Sequence, residues 1–351
     1  MVRKYWKHFL VGLLLALGIN ACGVFNQSTE VKPLPEVAPL VTPQLPNWIE
    51  EISPLGEAEP LNQIRVKFKE PLIPVEALGS QQQQEKIKKF EIFPELPGEF
   101  RFLTPSMVGF QPAQAFPKAA RIRVTVKAGL ADLKNNQLAE DLAWTFNTEP
   151  IKLTNLPTTE QEYGPPNYLD VKPTIEFTSN VRLDLDSLRA NLALEPEGNA
   201  EKIVSFEVKP VEEAGNNEES PAERFNPNLR QWRYSVTPET TLPTGTKYSF
   251  KINSGLRPQR GNLPSQTAFV SKVETYSALS FQKIKQQPGY GRFIDGDGEL
   301  EFNNPVVPES AKANISVEPA PREGVDVPIA YENYNVVSLN PWALKPDTTY
   351  T

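Results

Sequence analysis

The stretch Gly109-Phe-Gln-Pro-Ala-Gln-Ala-Phe-Pro-Lys-Ala-Ala-Arg-Ile-Arg-Val-Thr-Val126 reads as a strand, a crossing marked by two prolines, and a second strand. The second strand alternates apolar and polar residues at Ile122, Val124 and Val126, the period of a sheet with one buried face. Proline lacks an N–H and fits strand ends better than strand interiors, so Pro112 and Pro117 bracket the crossing. The same grammar recurs twice. Tyr234-Ser-Val-Thr-Pro238 leads through Leu242-Pro243 into Tyr248-Ser-Phe-Lys-Ile252, and Val337-Ser-Leu-Asn-Pro341 leads through Leu344-Lys-Pro346 to Tyr350.

Working outward, each crossing is preceded by two more repeated elements. The first is Ile64-Arg-Val-Lys-Phe68, Pro173-Thr-Ile-Glu-Phe177 and Glu299-Leu-Glu-Phe302. The second is Phe90-Glu-Ile-Phe-Pro94, Leu192-Ala-Leu-Glu-Pro196 and Ile315-Ser-Val-Glu-Pro319, each expected to be a short strand closed by proline. Between these elements the first copy has room for a short helix within residues 75–89, carrying the Gln81–Gln84 run as a solvated insertion. After the crossing, the first copy has an Asn135-Asn136 turn and a last strand Leu142–Thr148. The second has Gly261-Asn262 and a last strand near Ala268–Val273. Both turns suit left-handed backbone angles. Three internal repeats of this kind, together with 35 prolines in 351 residues, about twice the usual share, predict an all-β chain of tandem sandwiches. The expected boundaries are 48–150, 151–276 and 277–351, the third module being incomplete.

The start of the chain is different. Arg3, Lys4 and Lys7 precede an apolar run from Phe9 to Ile19, then Ala21, Cys22 and Gly23. A basic start, a short apolar stretch and a small residue are the layout of a secretory signal peptide over residues 1–21; the run is too short for a spanning helix. The cysteine in that place resembles the lipobox of bacterial lipoproteins. That resemblance implies cleavage before Cys22 and acylation of its sulfur and new amino group. More than one acyl chain is what stable anchoring takes. Gly23 in place of the Asp that retains many such proteins in the inner membrane favours the outer membrane. Residues 22–47 follow as a polar linker with Pro33, Pro35, Pro39, Pro43 and Pro46, expected to be extended and unstructured and to hold the first module off the membrane.

Removing residues 1–21 removes His8, the only histidine, and leaves Cys22 as the only cysteine. Ser-His-Asp and Cys-His catalysis and His- or Cys-ligated zinc sites are therefore excluded from the mature segment. No intrachain disulfide can form, so stability rests on packing. The whole chain carries a net charge of −7, and the leader takes three cations with it. That acidic balance argues against nucleic acid as a partner. No cofactor is expected.

The ordered set of strand, proline strand, crossing, turn and Trp144-Thr-Phe146-Asn-Thr148 ending resembles the SbsA-type bacterial immunoglobulin-like domain over residues ~50–351. In the first copy Asn135 stands where that family has Gly and Arg121 where it has Tyr; the second copy lacks the Trp-x-Phe ending. A lipobox, a proline linker and such modules in tandem resemble the start of a bacterial alpha-2-macroglobulin. In that family the modules frame a bait region that proteases cleave, and a thioester from a Cys-x-Glu-Gln motif captures the attacker. This sequence has no second cysteine, so no active residue of that family maps onto it. The third copy runs only to Thr351, just past the crossing, so the polypeptide is expected to be a fragment or a truncated reading frame.

The candidate sites are few. Cys22 is the lipidation site. Asp295, Asp297 and Glu299 alternate carboxylates as hard cations prefer, but the spacing fails the EF-hand pattern and a plain acidic turn competes. The charged stretch 211–223 reads as a solvent loop, Tyr163–Tyr168 as an interdomain connection, and Trp144 and Trp232 as core anchors. The resulting expectation is a non-enzymatic, lipid-anchored, periplasm-facing scaffold of the cell envelope. It would be the N-terminal region of an alpha-2-macroglobulin-like protease-trapping inhibitor, meeting the membrane through its lipid and proteases through the remainder of the protein. The alternative is an adhesion or structural lipoprotein that uses the modules as spacers.

Overall fold

A computed structural model describes residues 32–58, 63–162, 166–198, 205–211, 229–285, 298–345 and 348–351. The leader, Cys22, Tyr163, Asp295, Asp297 and residues 212–223 lie outside this set. The described chain is all-β, with helices of no more than seven residues between strands.

The first repeat forms two four-stranded sheets. One runs in the order Ile49–Ser53, Arg65–Phe68, Met107–Pro112, Gly98–Thr104; the other Gly56–Glu57, Leu142–Asn147, Arg121–Val126, Phe90–Phe93. The crossing residues thus carry the chain from one sheet to the other, as a sandwich requires. Leu142–Asn147 alternates buried and half-buried residues, and Arg121–Val126 alternates in step with it. The residues facing inward include Ile122, Val124, Trp144 and Phe146. Seven aromatic rings run through this core in sequence, from Trp48 over Phe68, Phe90, Phe100, Phe110 and Phe116 to Phe146. Consecutive centroids lie 5.1–6.4 Å apart, within the range of favourable aromatic contact.

The second repeat pairs Phe206–Pro210, Trp232–Pro238, Ile175–Ser179 and Leu153–Thr154 in one sheet. Leu192–Pro196, Lys247–Ile252 and Phe269–Glu274 form the other. Phe177, Tyr234 and Phe250 fill its centre. The third repeat has one sheet, Phe281–Lys285, Gly298–Phe302, Val336–Leu339 and Ile329–Ala330. Its buried hydrophobic cluster is small among the described residues: Val306, Ala311 and Val337.

The helix before the second element recurs in all three repeats: Gln81–Ile87, Leu185–Asn191 and Pro308–Asn314. The first falls inside the expected window. The other two have clear local causes. Asp184 caps its helix by accepting from Ser187 N at 2.7 Å, and Pro308 occupies the first turn, where its missing N–H costs nothing.

Three expectations are corrected. Ile315–Pro319 is not a regular strand. Glu318 nevertheless exchanges both backbone hydrogen bonds with Thr351, at 2.8 and 2.7 Å, the register that Glu195 holds with Ser249 in the second repeat. The described part of Tyr163–Tyr168 is not a connection between modules. Tyr168 packs on Tyr276 at 5.5 Å, and Leu169 N donates to Glu274 O, adding an edge to the second repeat's own sheet. Gly261 is not left-handed, although Asn135 is, at φ 63°; what Gly261 needs is room, as shown below.

Candidate functional site

Among the described residues no cluster of three His, Cys, Asp or Glu side chains could hold a metal ion. Glu299 sits within the strand Gly298–Phe302, opposite Ser338. Trp144 is fully buried and donates from Nε1 to Pro54 O at 3.1 Å. Trp232 is no core anchor. It sits at the rim of the second core, with the guanidinium carbons of Arg182 and Arg230 at 5.3 and 4.3 Å from its ring centroid, a cation–π arrangement. No helix among the described residues is long and apolar enough to cross a membrane.

What the structure builds is a set of joints. A threonine closes each of the first two repeats in the same way. Thr148 Oγ1 donates to Pro117 O at 2.7 Å and accepts from Ala120 N at 2.9 Å. Thr275 Oγ1 donates to Pro243 O at 2.7 Å and accepts from Thr246 N at 3.0 Å. Both threonines end the last strand and fasten it to the proline crossing. The sequence motif carried Thr148; Thr275 lies one residue further from its crossing proline, 32 residues against 31, and the Trp-x-Phe before it is gone.

The joint between the first and second repeats begins directly after Thr148. Glu149 accepts from Lys118 at 3.1 Å and from Lys152 at 3.0 Å. Burial pushes the Glu149 carboxyl up, but the hydrogen bonds to Lys152 and Lys118 outweigh it, and its pKa lies below the usual carboxylate range. A carboxyl held down in the folded state stabilises at pH values above its unfolded pKa, about 4.3, and that stabilisation is lost as pH falls through the lower folded value. Thermal stability followed from about pH 6 to about pH 3 should therefore fall less steeply in E149Q than in the natural chain. Equal slopes would contradict this role.

The proline linker is part of the joint. Its described part, residues 32–47, has no helix or strand, but it does not stand free. Val37 is buried, and Leu34 and Leu45 pack against the first core. Leu40 N donates to Thr145 Oγ1 at 3.0 Å, and Arg121 Nη1 donates to Val37 O at 3.4 Å. Extended proline segments leave their carbonyls open to partners, and here Arg121 of the first sandwich reaches the Val37 carbonyl. The docking was not visible in sequence because it depends on which residues the fold brings alongside.

A family model described as a bacterial Ig-like domain matches residues 46–148. An alpha-2-macroglobulin homolog of Nostoc sp. (strain PCC 7120 / SAG 25.82 / UTEX 2576) is 48% identical over an aligned length of 358 residues. The alignment covers 100% of this chain and 19% of that protein, so the chain spans about a fifth of the curated relative it matches. Among solved structures, an L,D-transpeptidase from Mycobacterium tuberculosis H37Rv and L,D-transpeptidase 3 of Mycobacterium tuberculosis with a faropenem-derived adduct align at a TM-score of 0.21. Their identities are 12% and 13%, each over 64% of this chain and 89% of theirs. Superpositions that loose carry no conclusion. The structure and the two sequence matches agree on one statement: this is an all-β chain with a bacterial Ig-like domain, homologous along its whole length to part of an alpha-2-macroglobulin homolog.

Proposed function

We propose that the chain is a non-catalytic, membrane-anchored scaffold within an alpha-2-macroglobulin-like inhibitor that traps proteases. Its modules are residues 48–150, 151–276 and 277–351. The observation that carries this reading is the 48% identity to an alpha-2-macroglobulin homolog over the full length of the chain. The fold supports it: sandwiches fastened at their ends position other parts of a protein without chemistry of their own. The full gene from the source strain should encode further such modules and a Cys-x-Glu-Gln motif; a gene with neither would contradict the reading.

The anchor is Cys22, and the protein faces the periplasm from a lipid attachment, with the outer membrane favoured by Gly23. Cys22→Ser should move the protein from the membrane fraction to the soluble fraction of the cell envelope, because acyl chains supply the whole attachment. A variant that still sediments with membranes would refute the lipid anchor.

A further inference from the structure

The turn after the crossing differs between the first two repeats in a way that matters. Aligned on Gly129 and Gly255, both turns start alike. Gly129 N donates to Leu138 O at 2.8 Å and Gly255 N to Ser265 O at 2.9 Å, over the fully buried Leu130 and Leu256. In the first repeat Asp132 is buried and holds its own turn. Its Oδ1 accepts from Lys134 N and Asn136 N, each at 2.9 Å, and its Oδ2 accepts from Asn136 Nδ2 at 2.7 Å. In the second repeat Pro258 stands in the place of Asp132 and Asn262 in the place of Asn136. With no carboxylate to bind, Asn262 turns outward.

Its partners lie in two other parts of the chain. Asn262 Oδ1 accepts from Arg121 N at 2.6 Å, and Nδ2 donates to Pro35 O at 2.7 Å and to Arg121 O at 3.1 Å. The backbone follows: Asn262 N and Leu263 N both donate to Ala119 O, at 3.1 and 2.9 Å, and Leu34 N donates to Arg260 O at 3.0 Å. The Ala119 side chain is fully buried and packs into the second core although it belongs to the first repeat's crossing. Gly261 permits the approach, since a Cβ there would lie 2.1 Å from Ala119 O. Its backbone angle is an ordinary one, so space, not a left-handed turn, is what requires glycine.

We propose that the turn 258–263 is a clamp that holds the linker from residue 33, the first module and the second module as one rigid body, with Asn262 as its positioning residue. One asparagine satisfies the backbone N–H and C=O of Arg121, at the start of a first-module strand, and the Pro35 carbonyl of the linker, so a single side chain joins all three parts. The clamp also shortens the tether. If Cys22 carries the lipid, as proposed above, ten residues, 23–32, separate it from the body, a span of at most about 35 Å. A linker free to residue 47 would reach about 85 Å. The clamp itself does not depend on the lipid or on any protease, so its failure leaves the functional reading standing, and the reverse.

Hydrogen exchange of the whole chain tests it. N262A should speed exchange about tenfold or more in peptides covering 34–40 and 119–123, the yield of losing shared hydrogen bonds at an interface, with 247–252 unchanged. N136A, at the equivalent position, should speed only 132–138. Acceleration confined to 258–265 in N262A, or none at all, would overturn the proposal. Should N262A also unprotect 247–252, N262D is read instead, because it keeps the acceptor facing Arg121 N and loses both donors. Faster exchange at 34–40 then supports the clamp, and unchanged exchange there overturns it.

Discussion

Trp144→Ala will destabilise the first module by about 3–5 kcal/mol, the cost of a large cavity in a close-packed core. Trp144 has no exposed surface and lies across from Val124 on the neighbouring strand. Its Nε1 bond to Pro54 O fastens the segment after the first strand, and truncation leaves that buried carbonyl without its partner. For a module of about 100 residues this loss lowers the melting temperature by more than about 10 °C. Trp144→Phe keeps most of the volume and should cost about half as much or less. Calorimetry resolving the module transitions is the check. A change below about 1 kcal/mol in Trp144→Ala would mean that the residue is not where the core is built.

The second large effect is a comparison across the repeats. Phe177→Ala should cost the second module about 3–5 kcal/mol. Phe177 is 1% exposed, stacked on Tyr234 at 5.7 Å and tilted against Phe250 at 6.4 Å. Tyr234 in turn accepts a hydrogen bond from Leu183 N at 2.6 Å, so a shift of its ring also loosens a buried backbone donor. Phe302 occupies the same place in the third repeat but is only half-buried, against Phe281 at 5.9 Å and a cluster of three buried residues. Phe302→Ala should therefore cost no more than about 1–2 kcal/mol, in proportion to the apolar area it hides. Denaturant unfolding of the two variants, followed by exchange in each module, separates them. Equal costs would show that the repeats share sequence grammar but not packing in the way described.

Much of this architecture was legible because the repeats write it in residues with few conformational options. Prolines end strands, and period-two alternation at Ile122–Val126 and Tyr248–Ile252 assigns their buried faces. The helices at Leu185–Asn191 and Pro308–Asn314 are not legible in the periodicity, although Asp184 and Pro308 mark their starts, since seven residues give too short an apolar period. Ile315–Pro319 read as a strand by composition, yet a strand exists only by pairing, and among the described residues only Glu318 has its partner. Trp232 read as core because tryptophan usually is. The arginines that flank it, Arg182 and Arg230, are 50 and two residues away in sequence, and the first of these contacts is set only by folding. The same reason hides the joint. Nothing local marks Pro35 as a partner of Asn262, 227 residues on. The exchange of Asp132 for Pro258 was the one available hint. Of the candidate sites, Cys22, Asp295 and Asp297 lie outside the described residues, and Glu299 is a strand residue.

We propose that these modules are the frame of a protease trap. The most direct measurement is the digestion of a large protein substrate by an endoprotease after incubation with the full gene product, alongside digestion of a small peptide substrate. The large substrate should be protected while the small peptide is still cleaved, because a trapped protease keeps its active site but loses access to bulky targets. Undiminished digestion of the large substrate at excess full gene product would contradict it.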